Sequence, residues 1–401
     1  MPTVITFGAG NVGRGFVGDL FSSAGWSVVF LDVVPEIVDA LHAERSYLLE
    51  TVSNDGVEQR LVEGVDAAYS TDQDKVDRLI RDADFITTSV GARVLPLIAP
   101  ALAHGLSARW RAGGGPIDVL LCENLHGAAS IVRNLLLEHL SDEEGALLDE
   151  RLGLAETSIG RMIPIAHPDP RTPKTLIRVE PYRVLPYDSR ALRNAPPRVE
   201  GLLPVEDVPF AFYSDRKLFL HNMGHCMCAY LGEAKGHEFI WQAIEDPEIR
   251  CLVRAAMTQS ALALARAYGA DPHALARHVD DLIARFANRA LADTTERVGR
   301  DPIRKMAPED RLIGAYRLAV AEDSPRTCLS LAVALGTERL AREDGWDATR
   351  AREFVEPVTF SQCPESDVDL FRAQLASLSA GFDWSEQIRI ADAVSRRVGA
   401  V

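Results

Sequence analysis

The sequence is poor in the features that mark several large classes of protein. Its six cysteines are scattered along 401 residues with no paired Cys-x-x-Cys spacing, which argues against a structural zinc site. No apolar run is long enough to span a bilayer, so no membrane partner is expected. Basic residues are outnumbered, 43 against 58 acidic ones, and the net charge of −15 argues against nonspecific binding to nucleic acid.

The sequence also predicts the cellular location of the protein and its division into domains. The chain starts directly with an apolar segment and shows no signal peptide, so we expect a cytoplasmic protein with reduced, mostly buried thiols. A length of 401 residues exceeds one ordinary hydrophobic core and predicts two domains. We place them at residues 1–200 and 201–401, because prolines crowd residues 164–204 and helical patterns dominate afterwards. A monomer and a small homo-oligomer are both compatible with this pattern.

Residues 4–15 carry the most specific motif of the chain. A short apolar strand, Val4–Phe7, is followed by glycines at the spacing Gly-x-Gly-x-x-Gly, and a second apolar strand ends at Asp32. Such glycines permit a tight turn, backbone approach to a diphosphate and close packing of helix on strand. The acidic residue accepts hydrogen bonds from ribose hydroxyls and repels a 2′-phosphate. The motif therefore predicts NAD as the cofactor, bound by Gly8, Gly10, Asn11, Val12, Gly13 and Asp32.

Apolar runs and helical patterns alternate through residues 1–125, which is typical of a parallel sheet. A strand predicted over residues 85–91 ends in Gly91, and one over residues 117–122 ends shortly before Asn124. Ligands bind at this carboxyl edge in doubly wound sheets, so we add both residues to the cofactor site. The sequence thus indicates an α/β, N-terminal Rossmann-type doubly wound sheet followed by a mostly α-helical C-terminal domain.

A lysine, an amide and an imidazole stand close together in the otherwise apolar segment 217–225. On an α-helix Lys217 and Asn222 are poorly aligned, whereas Asn222 and His225, three residues apart, are neighbours. Burial would lower the pKa of the lysine and supply a neutral amine that takes a proton from an alcohol. The segment also fits a helix start with an exposed lysine and a core histidine, so both interpretations stay open at this point.

The sequence resembles the polyol-specific long-chain dehydrogenases. The matching blocks are FGAGNVGRGF at 7–16, TTSVG at 87–91, CENL at 122–125, KLFLHNMGH at 217–225, AYLGEAKGH at 229–237 and ERVGRDPIRKMAPEDRL at 296–312. The resemblance implies a metal-free reaction in which Lys217 is the general base and His225 contacts the substrate. It also implies that Asn124 and Asn222 hold the reacting oxygen, in an active site between the two domains.

A basic cluster at residues 297–311 interrupts this acidic chain. Guanidinium groups bind phosphate well, and the RVGRDPIRKM block resembles the phosphate-specific branch of the family, although interleaved acids also fit a solvated surface. We expect NAD-dependent oxidation of a polyol phosphate to a ketose phosphate, foremost mannitol 1-phosphate to fructose 6-phosphate. The predicted phosphate ligands are Arg300, Arg304 and Lys305. Another polyol phosphate, an unphosphorylated polyol, a hexuronate, or a regulatory protein that senses NAD(H) stay open as alternatives.

Overall fold

The computed structural model describes residues 1–164 and 173–398 of the chain. The chain divides into two compact units, Met1–Phe210 and Ala211–Val401. The first unit includes the strand Leu202–Val205, which pairs with Leu185–Asp188. Among the described residues, no helix combines the length and apolarity needed to cross a membrane.

The first unit is built around a parallel sheet. Its strands are β1 (Thr3–Phe7), β2 (Ser27–Asp32), β3 (Ser46–Ser53), β4 (Gly56–Glu63), β5 (Val65–Tyr69), β6 (Phe85–Thr88), β7 (Ile117–Leu121), β8 (Leu152–Glu156), β9 (Ile177–Val179), β10 (Leu185–Asp188) and β11 (Leu202–Val205). Six of them form the sheet in the order β5-β2-β1-β6-β7-β8, with every pair parallel. The antiparallel hairpin β3–β4 joins β9 in a smaller sheet, and β10 pairs with β11.

Helices cover both faces of this sheet, as a parallel sheet requires. They are α1 (Asp19–Ser23), α2 (Pro35–Glu44), α3 (Gln73–Asp82), α4 (Leu95–Arg111), α5 (Ala128–Leu137), α6 (Asp142–Gly145) and α7 (Leu148–Arg151), and a π-helix, Gly13–Gly18, precedes α1. Alternate residues of β1 enter different cores: Val4 packs in the cluster of Phe16, whereas Ile5 packs in the cluster of Ile80. The predicted N-terminal Rossmann-type fold is therefore confirmed.

The second unit is helical. A π-helix, Arg216–Asn222, lies between the first two of its α-helices. These are α8 (Ala211–Asp215), α9 (Met223–Lys235), α10 (Ile240–Glu245), α11 (Pro247–Tyr268), α12 (Pro272–Phe286), α13 (Thr295–Gly299), α14 (Pro302–Lys305), α15 (Ile313–Ala321), α16 (Thr327–Leu340), α17 (Ala348–Phe360), α18 (Glu365–Ala380) and α19 (Trp384–Val398). The long helix α11 is central, because it contacts α9, α12, α15, α16 and α19.

Two helix boundaries show where local sequence is informative and where it is not. The break between α11 and α12 follows from local sequence: Gly269 is left-handed, with φ of 63°, and the Asp271 side chain accepts the N–H of His273. Pro308, in contrast, does not begin a helix, because residues 307–310 form a turn closed by the Asp310 N–H on Ala307 O. The helix starts only at Ile313.

Candidate active site

The glycine turn lies at the carboxyl end of β1, where the strand order reverses between β2 and β6. Gly8 has φ of 97°, and a Cβ there would lie 2.6 Å from the carbonyl oxygen of Ser89. A Cβ on Gly13 would collide with the carbonyl oxygen of Gly8, so helix and strand pack as closely as their backbones allow. Beside Gly10, in contrast, there is open space to at least 4 Å. This geometry fits a diphosphate that approaches the backbone at Gly10.

Asp32 is held by three backbone N–H groups. One carboxylate oxygen accepts the N–H of Ala9 at 2.7 Å, and the other accepts those of Val33 at 2.7 Å and Val34 at 3.1 Å. The carboxylate therefore ties the glycine turn to the end of β2 and carries its negative charge there. Both Val33 and Val34 remain exposed beside it. An exposed apolar surface next to a carboxylate is compatible with an adenosine group.

Gly91 and Asn124 are linked through a residue outside the predicted site. The strand predicted over residues 85–91 ends at Thr88, because the following backbone turns towards Glu123. The Glu123 carboxylate accepts the N–H of Val90 at 3.0 Å and that of Gly91 at 2.7 Å. Burial raises the pKa of Glu123, and these two hydrogen bonds oppose that rise. Asn124, the next residue along the chain, is exposed at the same edge of the sheet.

A buried ion cluster supports the helical turn after the glycines. The Asp19 carboxylate, 2% exposed, lies 2.6 Å from the guanidinium of Arg161 and 3.1 Å from that of Arg183, and it also pairs with Arg60. Arg161 donates as well to the carbonyl of Gly15 at 2.9 Å. Arg161 thus stabilises the segment that follows the glycine turn. No functional role was predicted from the sequence around this residue.

Two of the predicted residues of the second unit, Lys217 and Asn222, share a π-helix, Arg216–Asn222. The N–H of Met223 donates to Leu218 O, five residues back, and to Leu220 O, three residues back, rather than to the carbonyl four residues back. A π-helix closes its hydrogen bonds over five residues and therefore turns by less per residue than an α-helix, which brings positions five apart, such as Lys217 and Asn222, closer to one face. His225 follows one turn later on α9. The poor alignment expected for an ideal α-helix is thereby reduced.

The amine of Lys217 is tuned towards neutrality. Burial lowers the pKa of Lys217 from 10.5 to about 8, and the nearby charge of Arg311 acts in the same direction. Near pH 8 a substantial fraction of these amines is therefore unprotonated, as a group that accepts a proton from an alcohol must be.

The ring of His225 is fixed by two residues that are remote in sequence. It stacks on Phe286, with ring centroids 4.8 Å apart, and its Nε2 lies 3.5 Å from a carboxylate oxygen of Asp293. Burial lowers the pKa of His225 to about 3, and neighbouring cations led by Arg297 and Arg311 reinforce that effect. The imidazole is neutral around pH 7 and can both donate and accept one hydrogen bond.

The three predicted phosphate ligands have different environments. Arg300 and Arg304 are exposed, and Arg304 bonds to Asp301 at 2.7 Å and to Asp310 at 3.3 Å. Lys305 is buried, and its amine donates to Val298 O at 2.6 Å and to Arg300 O. Burial lowers the pKa of Lys305 to about 8.

Positive charge nevertheless converges on the imidazole of His225. The cations that depress its pKa are Arg297, Arg311, Lys305 and Arg285. Arg285 precedes Phe286 on α12, and its side chain is 10% exposed. Sequence reasoning missed Arg285, Phe286 and Asp293, because no local motif connects them to His225. In the parts of the chain that the structure describes, no group of three or more histidine, cysteine or acidic side chains is arranged to hold a metal ion.

Two family models match the chain. One is described as the mannitol dehydrogenase Rossmann domain and matches residues 2–201, and the other as the mannitol dehydrogenase C-terminal domain and matches residues 210–349. The mannitol-1-phosphate 5-dehydrogenase of Brevibacillus brevis is 35% identical over 349 residues, which cover 87% of this chain and 88% of that protein. The protein of the same name from Halalkalibacterium halodurans is 38% identical over 315 residues, 78% of this chain and 82% of its own length.

Solved structures share the fold. A ternary complex of Pseudomonas fluorescens mannitol 2-dehydrogenase with NAD and D-mannitol superposes with a TM-score of 0.69 at 18% identity. A substrate-free D-sorbitol dehydrogenase superposes with a TM-score of 0.78 at 16% identity. Each comparison covers 97% of this chain and 94% of the other. At these identities the likeness establishes the architecture of the chain.

Proposed function

The chain belongs to the mannitol dehydrogenase family, and we propose that it oxidises mannitol 1-phosphate to fructose 6-phosphate with NAD as the cofactor. Two relatives that align over 78% or more of the chain are named mannitol-1-phosphate 5-dehydrogenases. The observation that supports the proposal is the π-helical segment, which carries a lysine of depressed pKa together with Asn222, one turn before His225.

The residues of the first unit bind the dinucleotide. The open space at Gly10 would receive the diphosphate, and the N–H groups of Asn11, Val12 and Gly13 at the start of the following helix would bind its negative charge. Asp32 would accept hydrogen bonds from the ribose hydroxyls, and Gly91 would contribute to binding the nicotinamide end. When bound, NAD supplies the hydride acceptor.

Lys217 removes the proton from the substrate hydroxyl. Its neutral Nζ accepts that proton, and its protonated form returns a proton to the oxygen when a ketose is reduced. The side-chain amides of Asn124 and Asn222 donate hydrogen bonds to the oxygen as negative charge develops on it. Loss of one such donor typically costs about 2.7–4 kcal/mol in the barrier. The neutral His225, oriented by Phe286 and Asp293, bonds to a hydroxyl of the substrate.

The substrate phosphate is drawn into the positive region beside His225. Arg300, Arg304 and Lys305 remain the first candidates for binding it, but Arg304 reaches a phosphate only by releasing Asp301 or Asp310. Arg297 and Arg311 act on the pKa of His225 more strongly than Lys305 does, and we therefore add both to the candidates, although they too are paired with carboxylates, those of Asp293 and Asp310. Guanidinium groups bind phosphate oxygens in a bidentate geometry that an amine lacks.

The proposal is tested by following NADH absorbance with a panel of polyols, each with and without a phosphate, and with a hexuronate. We expect turnover to be fastest with mannitol 1-phosphate. Faster turnover of an unphosphorylated polyol or a hexuronate would identify that compound as the substrate instead. Tight NADH binding without turnover of any compound in the panel would indicate a sensing protein. We also expect a cytoplasmic enzyme, monomeric or a small homo-oligomer, with no nucleic-acid or membrane partner.

The role of the lysine has its own experiment. Lys217→Ala is expected to lose turnover while NADH still binds, as measured by fluorescence titration. The matched control is Lys75→Ala, which removes the side chain of a lysine that lies on α3 in the first unit. Near-wild-type turnover in Lys217→Ala would show that another group is the base.

A further inference from the structure

The π-helix Arg216–Asn222 receives a hydrogen bond from a neighbouring helix. The hydroxyl of Ser260, on α11, donates to the carbonyl oxygen of Phe219 at 2.7 Å, and Ser260 is fully buried. In an α-helix the N–H of Met223 would bond to that carbonyl, but here it bonds to the carbonyls on either side, Leu218 O and Leu220 O. The hydroxyl of Ser260 therefore donates to a carbonyl, that of Phe219, which receives no hydrogen bond from the N–H four residues later.

Close packing brings the short serine side chain within reach. A Cβ on Gly224 would lie 2.5 Å from the sulfur of Met257, so α9 approaches α11 as closely as a glycine allows. On another side, a Cβ on Gly314 would lie 2.6 Å from the ring of Phe219. Two glycines thus permit the packing that holds Phe219, and with it its carbonyl, beside Ser260.

We propose that Ser260 is a positioning residue for proton transfer, because its hydroxyl maintains the π-helical turn that brings Lys217 and Asn222 closer to one face. The inference rests on the proposed function, in which Lys217 is the base. Without the hydroxyl the buried carbonyl of Phe219 would lack this donor, and an unsatisfied buried acceptor is unfavourable. The α-helical bond from Met223 to Phe219 would satisfy it instead. Since an α-helix turns by about 100° per residue, that change would rotate Lys217 away from Asn222.

The test is Ser260→Ala, assayed in the full chain. Misplacement of reacting groups by about 1 Å can cost about 100-fold, so we expect kcat for oxidation to fall by about 10- to 100-fold. The KM for NAD should stay unchanged, because the dinucleotide residues lie in the first unit. The midpoint of the pH–kcat profile should move above 8, because the amine loses part of the environment that lowers its pKa. Ser260→Cys keeps a weaker donor of similar size and should give an intermediate kcat.

The matched control is Ser330→Ala. Ser330 is also buried, on α16, and its hydroxyl has no hydrogen-bond partner among the residues that the structure describes, so the substitution removes the same atom without touching the π-helix. Ser330→Ala should retain the wild-type kcat and pH midpoint. Thermal unfolding of all variants separates loss of stability from loss of alignment.

The outcomes distinguish the two proposals. If Lys217→Ala turns over like the wild type, the assignment of the base fails whatever Ser260→Ala does. If Lys217→Ala is inactive while Ser260→Ala matches Ser330→Ala in kcat and pH midpoint, the role of Ser260 is overturned and the base stands. A loss of kcat in Ser260→Ala that leaves the pH midpoint in place and raises the KM for NAD would also overturn it, because general structural damage has that signature.

Discussion

The imidazole of His225 lies flat against the ring of Phe286, with their planes 14° from parallel. Phe286 is the last residue of α12, and the loop after it carries Asp293, whose carboxylate faces Nε2 of the same imidazole. A side chain on α9 is therefore oriented by residues from a different helix and its following loop. In the proposed function His225 bonds to the substrate through one particular ring nitrogen, so we expect this arrangement to affect activity.

Replacing Phe286 should impair activity more than stability alone would explain. A stacked aromatic pair contributes about 0.5–1.5 kcal/mol beyond burial, so Phe286→Leu should lower kcat/KM for the polyol by about three- to tenfold. The KM for NAD should not change. Steady-state kinetics with each substrate varied in turn measure both effects.

The control is Phe371→Leu. Phe371 is fully buried on α18 and its ring lies 4.8 Å from that of Phe360, so the same atoms are lost from a comparable pair. This variant should lose a similar amount of thermal stability and keep its kcat/KM. Equal kcat/KM in Phe286→Leu and Phe371→Leu would show that Phe286 does not orient His225 for activity.

The pH dependence should follow the amine of Lys217. Oxidation needs the neutral amine and reduction needs the ammonium, so kcat for oxidation should rise with pH and that for reduction should fall, both with a midpoint near 8. Arg311→Gln removes a cation that lowers the pKa of Lys217, so its midpoint should move to higher pH. The midpoint should stay below 10.5, the ordinary pKa of a lysine, because burial is the larger cause of the lowered pKa and remains in this variant.

Arg317→Gln is the control for the loss of charge. Arg317 is half-exposed on α15 and pairs with Glu309, and it does not contribute to the lowered pKa of Lys217. Its pH profile should match that of the wild type. A midpoint that moves down in Arg311→Gln would contradict the electrostatic assignment.

Alanine substitutions at two glycines of the turn should have different effects on stability and on NAD binding. Gly13→Ala forces a Cβ against the backbone of Gly8 and should lower the melting temperature. Gly10→Ala points a Cβ into open space and should leave the melting temperature unchanged. It should raise the KM for NAD about tenfold or more, because overpacking a site typically costs about 1–3 kcal/mol.

Gly115→Ala is the matched control, since a Cβ there also meets nothing within 4 Å and Gly115 lies before β7, away from the carboxyl edge. It should change neither the melting temperature nor the KM for NAD. Normal NAD kinetics in Gly10→Ala would place the diphosphate elsewhere.

Asp19→Asn should destabilise the first unit strongly. Arg161, whose side chain is fully buried, would lose its carboxylate partner, and breaking a buried ion pair from one side costs about 3–5 kcal/mol. Urea unfolding followed by circular dichroism measures the shift of the midpoint. Asp82→Asn, at an exposed pair with Arg81, should leave the midpoint in place. A similar urea midpoint in Asp19→Asn and Asp82→Asn would mean that the buried ion cluster does not stabilise the first unit.

Local motifs account for the part of the site that follows β1 and β2. The spacing of Gly8, Gly10 and Gly13 is tied to one tight turn, and Asp32 ends the strand beside it, so all four are readable from short windows. The strand predicted over residues 85–91 ends at Thr88, because the carboxylate of Glu123, just after β7, accepts the N–H groups of Val90 and Gly91. Fold class and family were predictable for the same reason: periodicity and motif blocks are properties of neighbouring residues.

The sequence by itself determined the α/β order, the glycine turn and the presence of Lys217, Asn222 and His225 in one apolar segment. Only the tertiary structure shows that Lys217 and Asn222 share a π-helix, that this π-helix receives a hydroxyl from Ser260, and that Gly224 and Gly314 leave room for its packing. It also shows that the arginines acting on the imidazole, Arg297, Arg311 and Arg285, are each paired with a carboxylate. Contacts such as that of Ser260 with the π-helix join helices far apart along the chain, and no short-range pattern encodes their meeting.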